Sequence, residues 1–331
     1  MKYYGFNFQW MFADSGAEPA EPDERALDFL AAYKFNFVRI PTDYRIWTPD
    51  FDYFQPNESY FNYFDRYLHA CTSRQMHLSL NMHRVPGYCI NGNHLERDNL
   101  WVDSIAQDGL VYQWEQIARH FAGVPAKDLS FDLINEPPMP GQYGMTREKH
   151  AAIIRRVVAA IRAIDPQRLI SIDGLDGGAM AMPELTDLNV THSGRGYAPH
   201  AISHYQADWW PEWRSAPQNP SWPGLVYNGK IWNKDTLREV YQSWCEVQSQ
   251  GIEVHIGEMG CFDQLDNDIA LAWFKDLLGL FHEFRWGFAL WNFEGPFGII
   301  NHRRKGAHFE KLHGYVVDRD MLQLILDSRV Q

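Results

Sequence analysis

The feature that most constrains the fold is an alternation running the length of the chain. Short apolar runs of strand character fall at 3–12, 36–40, 77–82, 129–134, 168–173, 188–192, 254–258 and 287–291. Stretches of helical character separate them, at about 22–33, 60–74, 110–121, 146–164, 235–250 and 269–284, with a terminal one near 321–326. Pro22-Asp23-Glu24 puts a proline and acidic residues into a first helical turn, and Asp165-Pro166 stops the helix that begins at Thr146. No repeat period, low-complexity segment or linker interrupts the pattern, so one domain is expected over 1–331. Eight βα units with right-handed crossovers close into a barrel more readily than they lie flat. The predicted fold is therefore α/β, a single (β/α)8 TIM barrel with long βα loops after strands three and six. No GxGxxG follows the first strand and no P-loop is present, which argues against a nucleotide-binding sheet.

In such a barrel the chemistry sits at the carboxyl ends of the strands. The fourth run, LSFDLINEPP, carries Asp132 inside an apolar stretch and stops at Asn135-Glu136-Pro137-Pro138. A double proline continues neither a ladder nor a helix interior, so Glu136 is expected on a stiff loop above the sheet. Alone, Asn-Glu-Pro fits a turn cap as well as a catalytic acid. The seventh run supplies a second case, Glu258 in Val254-His255-Ile256-Gly257-Glu258-Met259-Gly260. Two strand-end glutamates far apart in sequence suggest a glycosidase pair, one proton donor and one nucleophile, roughly 5–5.5 Å apart for retention and farther for inversion. The remaining strand ends offer Arg39, His83 with Arg84, Asp173, Tyr197 and Trp291.

Composition narrows the partners. Aromatics make up 15% of the chain, with 13 Trp and 16 Tyr, a surplus that suits stacking on sugar rings. The net charge of −12 and the lack of a basic run argue against nucleic acid. No stretch approaches the roughly 20 apolar residues of a membrane span. The first residues do not read as a signal peptide, so a cytoplasmic location is expected unless a leader was trimmed, in which case the protein is secreted or periplasmic. Cys71, Cys89, Cys245 and Cys261 form no CxxC pair and read as reduced thiols in or near the core. The 14 His show no metal-ligand spacing, and no cofactor is expected. Oligomeric state is not readable.

The ordered set of Arg39, His83, Asn135-Glu136-Pro137, Tyr197, Glu258 and Trp291 resembles glycoside hydrolase family 5, the cellulase family, over essentially the whole chain. The resemblance implies retention by double displacement, with Glu136 as acid/base, Glu258 as nucleophile and Asn135 holding the sugar 2-hydroxyl. Arg39 and the Tyr197 hydroxyl are expected beside Glu258, His83 on a glycone hydroxyl and Trp291 as the stacking floor. Trp47, Trp101, Trp209, Trp210 and Glu294 are further candidates for the cleft walls, although most of the tryptophans could equally pack loops. One departure stands out. The family usually has a His two residues before the strand-six Tyr, and Arg195 occupies that place. A permanently charged, bidentate group there pairs a carboxylate or clamps sugar hydroxyls, and it leaves the substrate class open.

The leading expectation is a retaining hydrolase of a plant-type polysaccharide or its oligosaccharides. Large aromatic loops after strands three and six lean toward an exo-acting enzyme on terminal residues of β-glucoside, β-mannoside or furanoside type. A non-catalytic carbohydrate-binding barrel would have lost one of the glutamates. A Schiff-base barrel would need a strand-end Lys, and none is found.

Overall fold

The computed structural model describes residues 2–12 and 18–330. Eight parallel strands close into a barrel: β1 (Tyr4–Asn7), β2 (Phe37–Asp43), β3 (His77–Arg84), β4 (Leu129–Asp132), β5 (Leu169–Asp173), β6 (Thr191–Gly196), β7 (Val254–Met259) and β8 (Gly287–Leu290). They follow one another around the barrel in chain order, the succession that repeated right-handed crossovers produce. The outer helices are α1 (Glu24–Ala32), α2 (Phe61–Thr72), α3 (Ser104–His120), α4 (Arg147–Ile164), α5 (Lys234–Val240), α6 (Gln242–Ser249), α7 (Asn267–Phe284) and α8 (Arg319–Asp327). Asp23 and Thr146 cap α1 and α4 by accepting the Ala26 and Lys149 amides. Along α4 the buried face is Ile153, Ile154, Val157, Val158 and Ile161, the spacing of a stripe one turn wide.

The described chain divides into two compact units. One comprises Phe8–Gly194 and Val247–Val254, the other Met1–Asn7, Arg195–Glu246 and His255–Gln331. In the first, Leu78, Leu80, Phe131, Ile170 and Trp114 are buried, and the Trp114 indole donates to the Leu133 carbonyl at 3.1 Å. In the second, Phe6, Ile256, Phe288, Trp273, Phe281 and Trp286 are buried. There the Asn7 amide donates to the carbonyls of Gly257 (3.0 Å) and Leu290 (3.1 Å), tying β1 to β8 and to the residue before Glu258.

Four departures from the sequence reading have physical causes. β1 is shorter than the predicted 3–12 because beyond Asn7 the pairing with β2 is interrupted, continuing only as the Phe8 amide to the Arg39 carbonyl and an isolated bridge of Met11 to Thr42. β2 does not stop at Pro41. That residue pairs with Asn81, and the strand continues to a register shift between Thr42 and Asp43, since one missing donor is tolerated next to an irregularity. The predicted 235–250 helix divides into α5 and α6 at Tyr241, whose buried hydroxyl donates to the Arg195 carbonyl at 3.0 Å. Two hairpins went unread, Leu225–Tyr227 with Lys230–Trp232 and Phe309–Leu312 with Tyr315–Asp318. Both turn on two positive-φ residues, Asn228-Gly229 and His313-Gly314, and the first was available in the sequence as an Asn-Gly signal.

The long loops fall where expected. Residues 85–103 follow β3 and residues 197–233 separate β6 from α5. All four cysteines are free, and burial pushes the thiols of Cys71, Cys89 and Cys261 up to about 12. Among the described residues, no helix is long and apolar enough to cross a membrane.

Candidate active site

Each unit gathers one group of polar side chains on its barrel strands. In the unit that holds β2 to β5 the centre is Arg39. Its guanidinium donates to Asp132 at 2.7 Å and to the Asn135 side-chain oxygen at 3.0 Å, with Asp173 at 3.7 Å. Arg39 is 1% exposed and lies four residues before the end of β2, so it belongs to the barrel interior rather than to the strand end predicted for it. Asn135 turns its amide nitrogen to His83 Nε2 at 3.3 Å, and His83 Nδ1 meets the Asn81 oxygen at 3.3 Å. An Asn135 N–H that donates to Nε2 leaves the His83 proton on Nδ1, facing Asn81. The Phe12 ring lies 4.2 Å from the His83 ring centroid. Asn135 therefore has both ends of its amide bonded to protein.

Glu136 stands four residues beyond β4 on a backbone of φ 44°, a conformation costly for any residue but glycine. Two bonds hold it there. Its amide donates to Asp173 at 3.0 Å, and its carbonyl accepts the Tyr88 hydroxyl at 2.7 Å. The side chain is half-exposed. Asp173 and Tyr88 are supports whose roles were not assigned from sequence. Asp132 inside an apolar strand was the visible signal for the network, whereas Tyr88 gave none.

The other unit places Glu258 in β7, 3% exposed. Its two carboxylate oxygens take different donors, Arg195 at 3.2 Å and the Tyr197 hydroxyl at 3.2 Å. Both donors are buried, and an ionised carboxylate accepts both bonds. Gly196 makes this reach possible: a Cβ there would lie 2.6 Å from the Met259 Cβ, so only glycine lets the end of β6 close on β7. Arg195 thus pairs a carboxylate, the first of the two roles expected of it. Gly260 has a parallel function, since a Cβ there would meet Phe297 at 2.7 Å and the Trp291 carbonyl at 3.0 Å. Trp291 is half-exposed, and its amide donates to the Met259 carbonyl at 2.7 Å.

The remaining candidates separate by exposure. Trp47 is fully buried, its indole donating to Gln113 at 2.6 Å and its ring packed on Phe61 and Phe64, so it is not a cleft wall. Trp101 is also buried, edge-on to Tyr88 at 5.2 Å, and supports that ring from behind instead of meeting a ligand. Both lie between apolar helix or loop faces that bury a large ring more favourably than a strand end exposes it. Trp209 is 59% exposed, with Phe262 edge-on at 4.8 Å and Phe297 at 6.1 Å. Trp210 is half-exposed beside His200 and His204. Glu294 is exposed and accepts from Asn301 at 2.5 Å. No group of three or more His, Cys, Asp or Glu among the described residues could hold a metal ion.

The cellulase family, glycosyl hydrolase family 5, matches residues 1–295. The chain belongs to glycosyl hydrolase family 5. Its relatives include an endoglucanase C of Acetivibrio thermocellus, 24% identical over 306 residues and covering 85% of this chain and 87% of that protein. A β-xylosidase of Phanerodontia chrysosporium is 26% identical over 152 residues, 44% of this chain and 30% of the other. Among solved structures, one described as a glycoside hydrolase superposes with a TM-score of 0.98 at 58% identity, covering both chains fully. Cel5A of Thermotoga maritima, solved with cellobiose, shares the fold with a TM-score of 0.76 at 20% identity, covering 98% of this chain and 96% of that one. The family 5 enzyme described above is thus a glycoside hydrolase, and its relatives include several named endoglucanases.

Proposed function

We propose that this family 5 enzyme cleaves its substrate with retention, Glu136 acting as acid/base and Glu258 as nucleophile. In the first step the Glu136 proton passes to the glycosidic oxygen, the bond from C1 to that oxygen breaks, and a Glu258 oxygen bonds to C1. In the second, Glu136 takes a proton from water, whose oxygen displaces Glu258. The observation that carries the assignment is the setting of Glu258, a buried carboxylate whose two oxygens receive Arg195 and Tyr197. A nucleophile has to be held still, and a donor on each carboxylate oxygen supports that role. The Asn135 amide, oriented by Arg39 and His83, is the proposed partner of a sugar 2-hydroxyl.

For the substrate we propose β-linked glucan-type polysaccharide or its oligosaccharides, a reading supported by relatives named endoglucanases. The second reading is an exo-acting glycosidase on terminal residues. It is favoured by the long loops at 85–103 and 197–233 and by a relative named β-xylosidase. In either case Trp291 and Trp209 are the proposed stacking surfaces and Glu294 a rim hydrogen-bonding group.

Azide rescue tests the pair. Glu258→Ala abolishes turnover, and azide restores it with a glycosyl azide of inverted configuration. Glu136→Ala keeps activity on substrates with good leaving groups, and azide then gives retained configuration. Unchanged activity in either variant rejects the assignment.

A further inference from the structure

Arg84, the last residue of β3, is a strand-end candidate that the mechanism above leaves without a task. Its guanidinium donates to Glu96 at 2.6 Å and lies 3.3 Å from Asp43. Glu96 belongs to the loop after β3, yet its side chain is 1% exposed. One of its oxygens receives Arg84, and the other accepts the Tyr44 hydroxyl at 2.7 Å and the Gly87 amide at 3.2 Å. A loop carboxylate is ordinarily solvated, and this one has exchanged water for three protein donors.

The Gly87 amide that Glu96 holds is part of a tight turn. Val85 and Tyr88 exchange both backbone bonds at 3.0 Å around Pro86-Gly87, with Gly87 at φ 77°. Proline followed by a left-handed glycine is the type II pattern. The Gly87 carbonyl accepts the Leu100 amide at 3.0 Å, and a Cβ on residue 87 would lie 2.5 Å from that nitrogen. Both backbone groups of Gly87 are thus tied down, one by Glu96 and one by Leu100. The next residue is Tyr88, 1% exposed, with Trp101 edge-on at 5.2 Å and its hydroxyl on the Glu136 carbonyl at 2.7 Å.

Glu136 needs that support. Its φ of 44° is strained for a residue with a side chain, and Pro137 after it favours an extended chain instead. Just past β5, the amides of Gly177 and Asp176 hold the carbonyls of Pro137 at 3.1 Å and Pro138 at 3.3 Å. From the loop after β3 the tie is Tyr88. Burial, and after it the charge of Glu136, raises the Tyr88 hydroxyl well above its ordinary value, so it stays a donor.

We propose that Tyr88 is a positioning residue for the general acid, and that Glu96 sets Tyr88 through the Pro86-Gly87 turn. A carboxylate bonded to Arg84 and Tyr44 then governs how well Glu136 delivers its proton. The inference rests on the assignment of Glu136 as acid/base.

The experiment measures kcat/KM for β-cellobiosides of 2,4-dinitrophenol, 4-nitrophenol and phenol, or for β-xylosides of the same phenols under the exo-acting reading. A general acid contributes most where the departing oxygen is a strong base and least where it leaves unprotonated. Tyr88→Phe takes the donor from the Glu136 carbonyl, and it should lower the phenyl constant at least about fivefold more than the dinitrophenyl one. Glu96→Gln sets an N–H of the new amide against Arg84 or against Gly87, both of which only donate, and should change the ratio in the same direction. The ratio of two substrates does not depend on the fraction of enzyme folded, so a loss of stability leaves it unmoved. The double variant should match the larger single effect, because both residues act through one contact. Equal losses on all three phenols in Tyr88→Phe, or effects on the ratio that multiply in the double variant, overturn the proposal. A changed ratio in Tyr88→Phe with none in Glu96→Gln overturns the part given to Glu96. If azide rescue of Glu136→Ala succeeds while the ratio is constant in these variants, this inference alone fails. If the rescue fails, the reading of Glu136 fails with it.

Discussion

At the residue scale the decisive pair is Arg195 and Glu258, at 3.2 Å and almost wholly buried. Breaking a buried ion pair by removing one partner costs about 3–5 kcal/mol, because the carboxylate stays behind without its cation. Arg195→Ala should therefore lower kcat by at least about 10²-fold. Tyr197→Phe removes one neutral hydrogen bond to a charged group, about 1.5–3 kcal/mol, and should cost roughly 10- to 10²-fold. Steady-state kinetics on an activated aryl glycoside checks both, and a variant of Arg195 within threefold of wild type contradicts the positioning role. The sequence revealed Arg195 as a departure from the usual family His but not which group it pairs. Its spacing two residues from Tyr197 put both on one side of the chain where β6 ends, and only the close approach allowed by Gly196 brought that side to Glu258. Trp47 and Trp101 went wrong for a related reason. A tryptophan next to a strand end has the same sequence signal whether its ring faces the cleft or the neighbouring helix.

At the scale of elements the strands were legible because buried parallel strands are continuous apolar runs, and each βα unit carried its own helix start and stop. Boundaries were less so. β2 passes through Pro41 because the neighbouring register shift absorbs the lost donor, which no local pattern announces. Arg39 consequently sits deep in the barrel, where it binds Asp132 and fixes Asn135. The junction of β6 and β7 makes an element-level prediction. Gly196→Ala forces a Cβ against Met259, an overpacking worth about 1–3 kcal/mol. Calorimetry should show a lower Tm, and kcat should fall with it, since Arg195 and Tyr197 flank that position. A Gly196→Ala enzyme with wild-type Tm and kcat would show that the two strands have room to spare.

At the scale of the whole molecule, acid stability follows from buried histidines. Burial lowers His77 to about 4, His192 to about 4 and His150 to about 3 from the ordinary value near 6.5. The folded chain keeps them neutral while the unfolded chain protonates them. Stability is thus full above about pH 6.5 and is lost as pH falls toward 4, by about 1.4 kcal/mol per pH unit for each group. Neither ring nitrogen of His150 has a hydrogen-bond partner among the described residues. Denaturant titrations at pH 7, 6 and 5 should show the loss, and His150→Leu should reduce its slope by one group's share. A slope unchanged in that variant contradicts the burial argument.

The central claim is that this family 5 chain works through a covalent intermediate on Glu258. The direct measurement is incubation with a 2,4-dinitrophenyl 2-deoxy-2-fluoro-β-glycoside, followed by intact mass and peptide mapping. The account predicts release of one equivalent of dinitrophenol and a mass increase of one fluorosugar, located on Glu258. An active enzyme that stays unlabelled, or a label on another carboxylate, would contradict it.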